Sequence, residues 1–308
     1  MLSDTRTVVT TATPPALGLV LVGVLSLCWG FNWPVMKVVV TEVPPWTFRA
    51  ASTGVGGAIL LFGTWLSRRR LVPTRHEMPH LLLASMLNIT LWMLLSAYAV
   101  GLMNAGRAAI VAYTMPVWSI LLSAIILGER LTARRIAGVV LGLSGMALLL
   151  RDDFRDIGAS PLGTLLMTGA AFCWGAGTVV VKVGRIGLST IALAGWQMLL
   201  AAIPLTIGAA VLDDFDVSGI GLWPALGVVY NMLIGSALCV WIWFRIVALY
   251  SAGVAAISTL LIPVVGIFGG ALLLGEHVGL AEIVALALVL AALAVVHGYL
   301  PPSARTPD

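Results

Sequence analysis

The sequence predicts an all-α integral membrane protein, with ten transmembrane helices arranged as two inverted five-helix repeats. Three observations predict it. The 308 residues are 60% hydrophobic and only 10% charged, whereas soluble domains run near a quarter charged. Ten apolar runs are each long enough to cross a bilayer. An ordered set of otherwise rare residues recurs at a nearly constant offset. Ten helices of about 20 residues use about 200 residues and leave about 100 for loops and ends. No large soluble domain fits in that remainder, which excludes a soluble enzyme, a nucleic-acid-binding module and a disulfide scaffold.

The apolar runs fall at 17–40, 46–66, 80–101, 104–127, 132–150, 161–184, 189–211, 222–246, 252–274 and 279–299. The breaks between them carry turn chemistry or charge: Val43-Pro44-Pro45, Ser67 to Arg70, Gly128-Glu129-Arg130, Arg151 to Asp156, Asp213 to Asp216, and Gly275-Glu276-His277. The spans must be helical, because unpaired backbone groups in lipid are costly, and the short alternating segments of a β-barrel are absent. The polar start, with Asp4, Arg6 and Pro14-Pro15, leads straight into a full-length span. That pattern predicts a signal anchor rather than a cleaved signal peptide. Cys28, Cys173 and Cys239 lie in apolar runs without C-x-x-C or Cys/His spacing, so neither a disulfide framework nor a metal site is expected.

Basic residues set the orientation. With the N-terminus in the cytoplasm, twelve of the 17 Lys and Arg residues fall inside, including Arg68 to Arg70 and Arg134-Arg135. Asp152, Asp153, Asp156, Asp213, Asp214 and Asp216 fall outside. Both termini are therefore expected in the cytoplasm.

The repeat carries the most information. Cys28-Trp29-Gly30 followed by Lys37 recurs as Cys173-Trp174-Gly175 followed by Lys182, an offset of 145. Ala105-Gly106, Pro116 and Leu127-Gly128-Glu129 recur as Ala252-Gly253, Pro263 and Leu274-Gly275-Glu276, an offset of 147. The chain thus divides into a cytoplasmic segment (1–16), a first repeat (17–150), a second repeat (161–299) and a cytoplasmic tail (300–308). Five is odd, so the second repeat enters the membrane upside down. Inverted repeats mark secondary transporters, whose site lies near the midplane between the halves.

Two five-helix units that open with W-G-x6-K and close with P-x12-E resemble the EamA family of the drug/metabolite transporter superfamily. Trp29, Gly30, Lys37, Pro116 and Glu129 stand at the motif positions of one copy, and Trp174, Gly175, Lys182, Pro263 and Glu276 at those of the other. The resemblance covers about 17 to 299. It implies ten helices, cytoplasmic termini, a bacterial inner membrane, and export or facilitated movement of small organic solutes, often amino acids. Within the family, the YddG-like amino-acid exporters are the first comparison, because many Trp and Met residues lie at mid-depth.

Candidate site residues follow from depth and polarity. Trp29, Asn32, Trp33 and Met36 share one face of the first span by their i, i+3, i+4, i+7 spacing. The third span offers Asn88 and Trp92, the fourth Tyr113, the sixth Trp174 and the eighth Asn231. Asn is poorly soluble in hydrocarbon, so these amides face a cavity or pair across helices. One reading is an aromatic-walled cavity for a zwitterion; the other is interhelical glue, with the tryptophans as packing or interfacial belt. Lys37, Pro116, Glu129, Lys182, Pro263 and Glu276 are candidates for gating, against the plainer reading of solvated helix ends and shaped packing. Arg49 and Arg107 enter their helices near the outer face and are expected to snorkel to water.

No Asp, Glu, Lys, Arg or His falls in the middle third of any span. Intramembrane carboxylates or histidines usually mark proton relays, so a uniporter or exchanger of neutral or zwitterionic metabolites is expected, with no cofactor and no metal. The partners expected are a small-molecule substrate, amino acids foremost, and the lipid bilayer, and no nucleic acid. A broad drug or nucleotide-sugar carrier is the alternative within transporters. An integral-membrane enzyme would need a motif such as H-E-x-x-H or G-x-S-x-G, and neither is present. A non-transporting receptor is the remaining class.

Overall fold

The computed structural model describes residues 15–155, 161–214, 216–249 and 252–297. The terminal segment 1–14 and the tail 300–308 lie outside the described residues. Among those described there is no strand, and the chain forms ten helical rods. They are α1 (Pro15–Val39), α2 (Pro45–Leu66), α3 (Met78–Leu102), α4 (Ala105–Leu127), α5 (Ala133–Arg155), α6 (Pro161–Gly184), α7 (Thr190–Leu212), α8 (from Leu222 to Leu249), α9 (Ala252–Leu274) and α10 (Leu280–His297). Seven of them are long and apolar enough to cross a membrane: α1, α3, α4, α5, α6, α7 and α8. In α9 and α10 the apolar stretches Thr259–Leu274 and Leu280–Val296 are shorter. Leu, Ile, Val and Phe side chains lie bare on the outside of the bundle, Ile125 and Leu272 each 78% exposed. Such a surface is stable only against lipid.

The repeats interlock rather than sit side by side. Rod α1 packs on α9 and α8 of the other half, and α6 packs on α4 and α3. Rod α2 packs on α7, and α5 on α10. Each pairing maps onto another, or onto itself, when the halves are exchanged. The self-paired rods run antiparallel: Gly57 meets Leu199 while Trp46 meets Gly208, and Gly138 meets Val296 while Gly145 meets Leu288. Equivalent rods of the two repeats therefore point in opposite directions.

The glycine of each W-G pair is explained by this exchange. A Cβ on Gly30 would fall 2.4 Å from Val265, and one on Gly175 would fall 2.8 Å from Ser119 N. Trp118, which also crowds Gly175, precedes Val265 by the same 147 positions as the rest of the motif. Only hydrogen fits where α1 crosses α9 and α6 crosses α4.

Three rods depart from regular α-helix. Rod α3 widens into a π-helix at Met86–Leu91, and α8 does the same at Asn231–Leu238, beginning 145 positions later. Such π segments are frequent at functional sites. Rod α4 breaks between Ala112 and Met115 because Pro116 has no N–H and its ring excludes the carbonyl one turn earlier. Pro263 occupies the matching place in α9, yet that helix runs through it.

Candidate functional site

The predicted residues gather along two seams between the halves. On the α1–α8 seam, Trp29 Nε1 donates to Gly235 O at 3.0 Å, and its ring lies 6.3 Å from that of Trp243. Gly235 leaves room for Asn32, whose Oδ1 is buried with no hydrogen-bond partner. Asn231 flanks the same glycine and is 2% exposed; its Nδ2 donates to Gly227 O at 3.2 Å. The Gly235 carbonyl that Trp29 meets lies within the π segment, where the ladder is widened. Trp33, 7% exposed, packs against Gly266 of α9 within the main apolar core.

On the α3–α6–α7 seam, Asn88 Nδ2 donates to Gln197 Oε1 at 3.2 Å, and Ser85 Oγ donates to Gln197 O at 2.6 Å. Asn88 lies against Gly177, and its Oδ1 is buried without a partner. Trp92 and Trp174 meet edge to face at 5.3 Å. Tyr113 sits at the break in α4 and packs against the same core as Trp92. The structure thus brings Trp92 to Trp174, and Asn32 to Asn231. It leaves Asn88 on a separate seam from Asn32.

The motif charges sit at rod ends. Gly128 and Gly275 both adopt positive φ, 67° and 65°, and close α4 and α9. The left-handed turn lets the N–H of Glu129 reach back to Ser123 O and that of Glu276 to Gly270 O. Glu276 is thereby aimed at the opposite half, and Glu129 at Arg135 of its own half and Lys182 of the other. Glu276 accepts from the N–H groups of Ala105 (2.7 Å) and Gly106 (3.1 Å), the orphan donors at the start of α4. Lys37 Nζ donates to Met103 O at 2.6 Å, at the end of α3. Beside them, Arg107 pairs with Glu282, both side chains 11% exposed. On the opposite face, Glu129 meets Arg135 at 2.9 Å and Lys182 at 3.4 Å. Lys182 and Arg135 hold the Glu129 carboxyl below its ordinary range.

Two expectations need correction. Arg107 does not snorkel to water, because Glu282 neutralises it inside the protein. Arg49 does not snorkel either. It is 3% exposed, with Nε donating to Met93 O at 3.0 Å and Nη2 to Ser96 Oγ at 3.3 Å and to Met36 Sδ. Close packing of α1, α2 and α3 leaves the guanidinium no path outward. Gln197 is a seam residue that sequence reasoning missed. As the lone amide of the seventh apolar run it was there to be read.

A duplicated helical bundle with polar seams between exchanged halves defines a membrane transporter class. The profile of the EamA-like transporter family matches residues 16–151 and again 161–298, so the chain belongs to that family. It is similar to the uncharacterized transporter YoaV of Bacillus subtilis, 24% identical over 262 residues, spanning 84% of this chain and 90% of that protein. It is also similar to a probable amino-acid metabolite efflux pump of Escherichia coli, 28% identical over 269 residues, with 83% and 87% covered. The uncharacterized inner membrane transporter YedA of Escherichia coli is 25% identical over 281 residues, with 88% of each chain covered. One solved crystal structure superposes with a TM-score of 0.62 at 21% identity, covering 91% of this chain and 96% of its own, and supports the fold alone.

Proposed function

We propose that this multi-pass membrane protein is a secondary carrier, not an enzyme, that moves small neutral or zwitterionic metabolites, amino acids foremost, by alternating access. The observation that carries the reading is the pair of buried, unpartnered amide oxygens, Asn32 Oδ1 and Asn88 Oδ1, on the seams between the halves. An unsatisfied buried acceptor costs about 1–3 kcal/mol, and the ammonium group of a zwitterion offers three donors. The rings of Trp29, Trp92 and Trp174 supply apolar walls beside them. The Escherichia coli relative named as a probable amino-acid metabolite efflux pump supports the same class of substrate. The charge bias supports cytoplasmic termini, the relative named as an inner membrane transporter supports that membrane, and the relative named as an efflux pump supports export.

The test is counterflow of labelled neutral L-amino acids in proteoliposomes, with and without a pH gradient. Exchange independent of the gradient is expected, because no Asp, Glu, Lys, Arg or His lies in the middle third of the spans drawn from the sequence. Asn32→Ala and Trp92→Ala should each slow it about tenfold or more in protein that remains folded. Full activity in both variants overturns the site, and uptake that collapses with the gradient overturns the mechanism.

A further inference from the structure

Arg49 stands apart from the other charges of the bundle. Glu282 faces Arg107, Glu77 faces Arg70, and Glu129 faces Lys182 and Arg135. Among the described residues no carboxylate lies within ion-pair distance of Arg49. Its acceptors are a backbone carbonyl, a hydroxyl and a thioether, and its guanidinium carbon lies 4.4 Å from the Phe48 ring centre. Arginine cannot escape by losing its proton. A guanidinium in a low-dielectric interior with only neutral partners is incompletely compensated. It therefore holds a positive potential where an anion would be stabilised most.

Position strengthens the case. Met93 precedes Leu102, the end of α3, by nine residues, or about 13 Å at 1.5 Å per residue. That is close to the middle of a hydrocarbon layer about 30 Å thick. Met93 directly follows Trp92 of the Trp92–Trp174 pair, and Met36 lies one turn beyond Asn32 on α1. The cation thus bonds the neighbours of both seams, Met93 beside Trp92 on α3 and Met36 one turn from Asn32 on α1. Its Nε bond to Met93 O fixes the fork, while Nη2 is engaged only by a thioether and a 3.3 Å hydroxyl. Both are weak acceptors that a carboxylate outcompetes, since charge-assisted bidentate pairing is about twice as strong.

We infer that Arg49 is the anion-binding residue of this carrier and takes the carboxylate of its substrate. The inference rests on the seam being the substrate site, and it narrows the substrate class to molecules bearing a carboxylate. A purely structural strut across α1, α2 and α3 would need hydrogen bonds but no ligand, and the two roles separate by experiment.

The unfolding temperature of the full-length protein in detergent is read by tryptophan fluorescence with straight-chain monocarboxylates from acetate to hexanoate. The matching amides are run at equal ionic strength. The acids should raise the unfolding temperature and the amides should not. Arg49→Gln should abolish the difference. Arg49→Lys keeps the charge but loses the fork, and should weaken acid binding on the order of thirtyfold. No acid–amide difference in the wild type overturns the inference, as does a difference that survives in Arg49→Gln. If Arg49→Gln does not fold, Arg49→Lys decides: acid binding weakened on the order of thirtyfold supports the inference, and acid binding as tight as in the wild type overturns it. Counterflow of neutral L-amino acids and of their amides is measured in parallel. Acid stabilisation without amino-acid exchange would sink the proposed substrates while leaving the anion site standing.

Discussion

The junction of Lys37 with Glu276 and the junction of Lys182 with Glu129 are written in the same residues but hold different things. At the first, Glu276 caps the start of α4, Lys37 caps the end of α3, and a buried Arg107–Glu282 pair adjoins them. At the second, Glu129 pairs with Lys182 and Arg135, with side chains 31%, 48% and 38% exposed. The first junction caps helix ends from half-buried side chains, and the second pairs charged side chains with one another in partial contact with solvent. A chain built of two equivalent halves must depart from symmetry whenever its site opens to one face only. The unequal junctions are where this structure departs from it.

The largest expected effect comes from breaking the helix-capping junction. Glu276→Gln leaves the Ala105 and Gly106 donors with a neutral acceptor and removes the negative charge near Lys37. A loss of about 1–3 kcal/mol should appear as a lower unfolding temperature, together with slower counterflow. Glu129→Gln should change stability little, because water replaces its partners. Equal losses in the two variants would remove the distinction between the junctions.

Much of this comparison was legible in the sequence. The motif W-G-x6-K with P-x12-E located both junctions, and the odd helix count gave the inversion that antiparallel α2 and α7 display. What it could not supply was which junction caps helix ends and which pairs charges, since identical letters describe both. Arg49 was misread for a related reason. Its distance from the helix start suggested snorkelling, but whether α1 and α3 close over it is a property of packing. The π turns left only Asn88 and Asn231 as traces, because helix widening has no composition of its own.

The two prolines sharpen the comparison within the rods. Pro116 breaks α4 and Pro263 leaves α9 continuous, though both stand at the same motif position. Pro116→Ala restores the missing N–H and permits an unbroken α4. It should slow counterflow several-fold if the broken and continuous states interchange during transport. Pro263→Ala should do the same by fixing α9 in the state it already has. A variant pair with unchanged transport and a raised unfolding temperature would assign both prolines to packing alone.

The smallest effect lies on the Lys182 face, where Glu77 ties the segment before α3 to the loop after α6. Its carboxylate accepts from the N–H of Thr74 at 2.7 Å and of Gly187 at 2.6 Å, and pairs with Arg70. The backbone donors, Thr74 first, hold its pKa down to about 2. A glutamate free of the fold titrates near 4.5. The native state therefore binds fewer protons than the unfolded chain across this interval, and stability rises with pH through it. The contribution is complete above about pH 5 and is lost as the pH falls from 4.5 towards 2. The gap in unfolding temperature between wild type and Glu77→Gln should be constant from pH 8 to 5 and shrink below 4.5. A gap that is already gone at pH 6 would mean that Glu77 is not the residue tying these loops. A gap unchanged near pH 2 would mean that its charge plays no part in the tie, and that the Lys182 face is held by something other than its carboxylates.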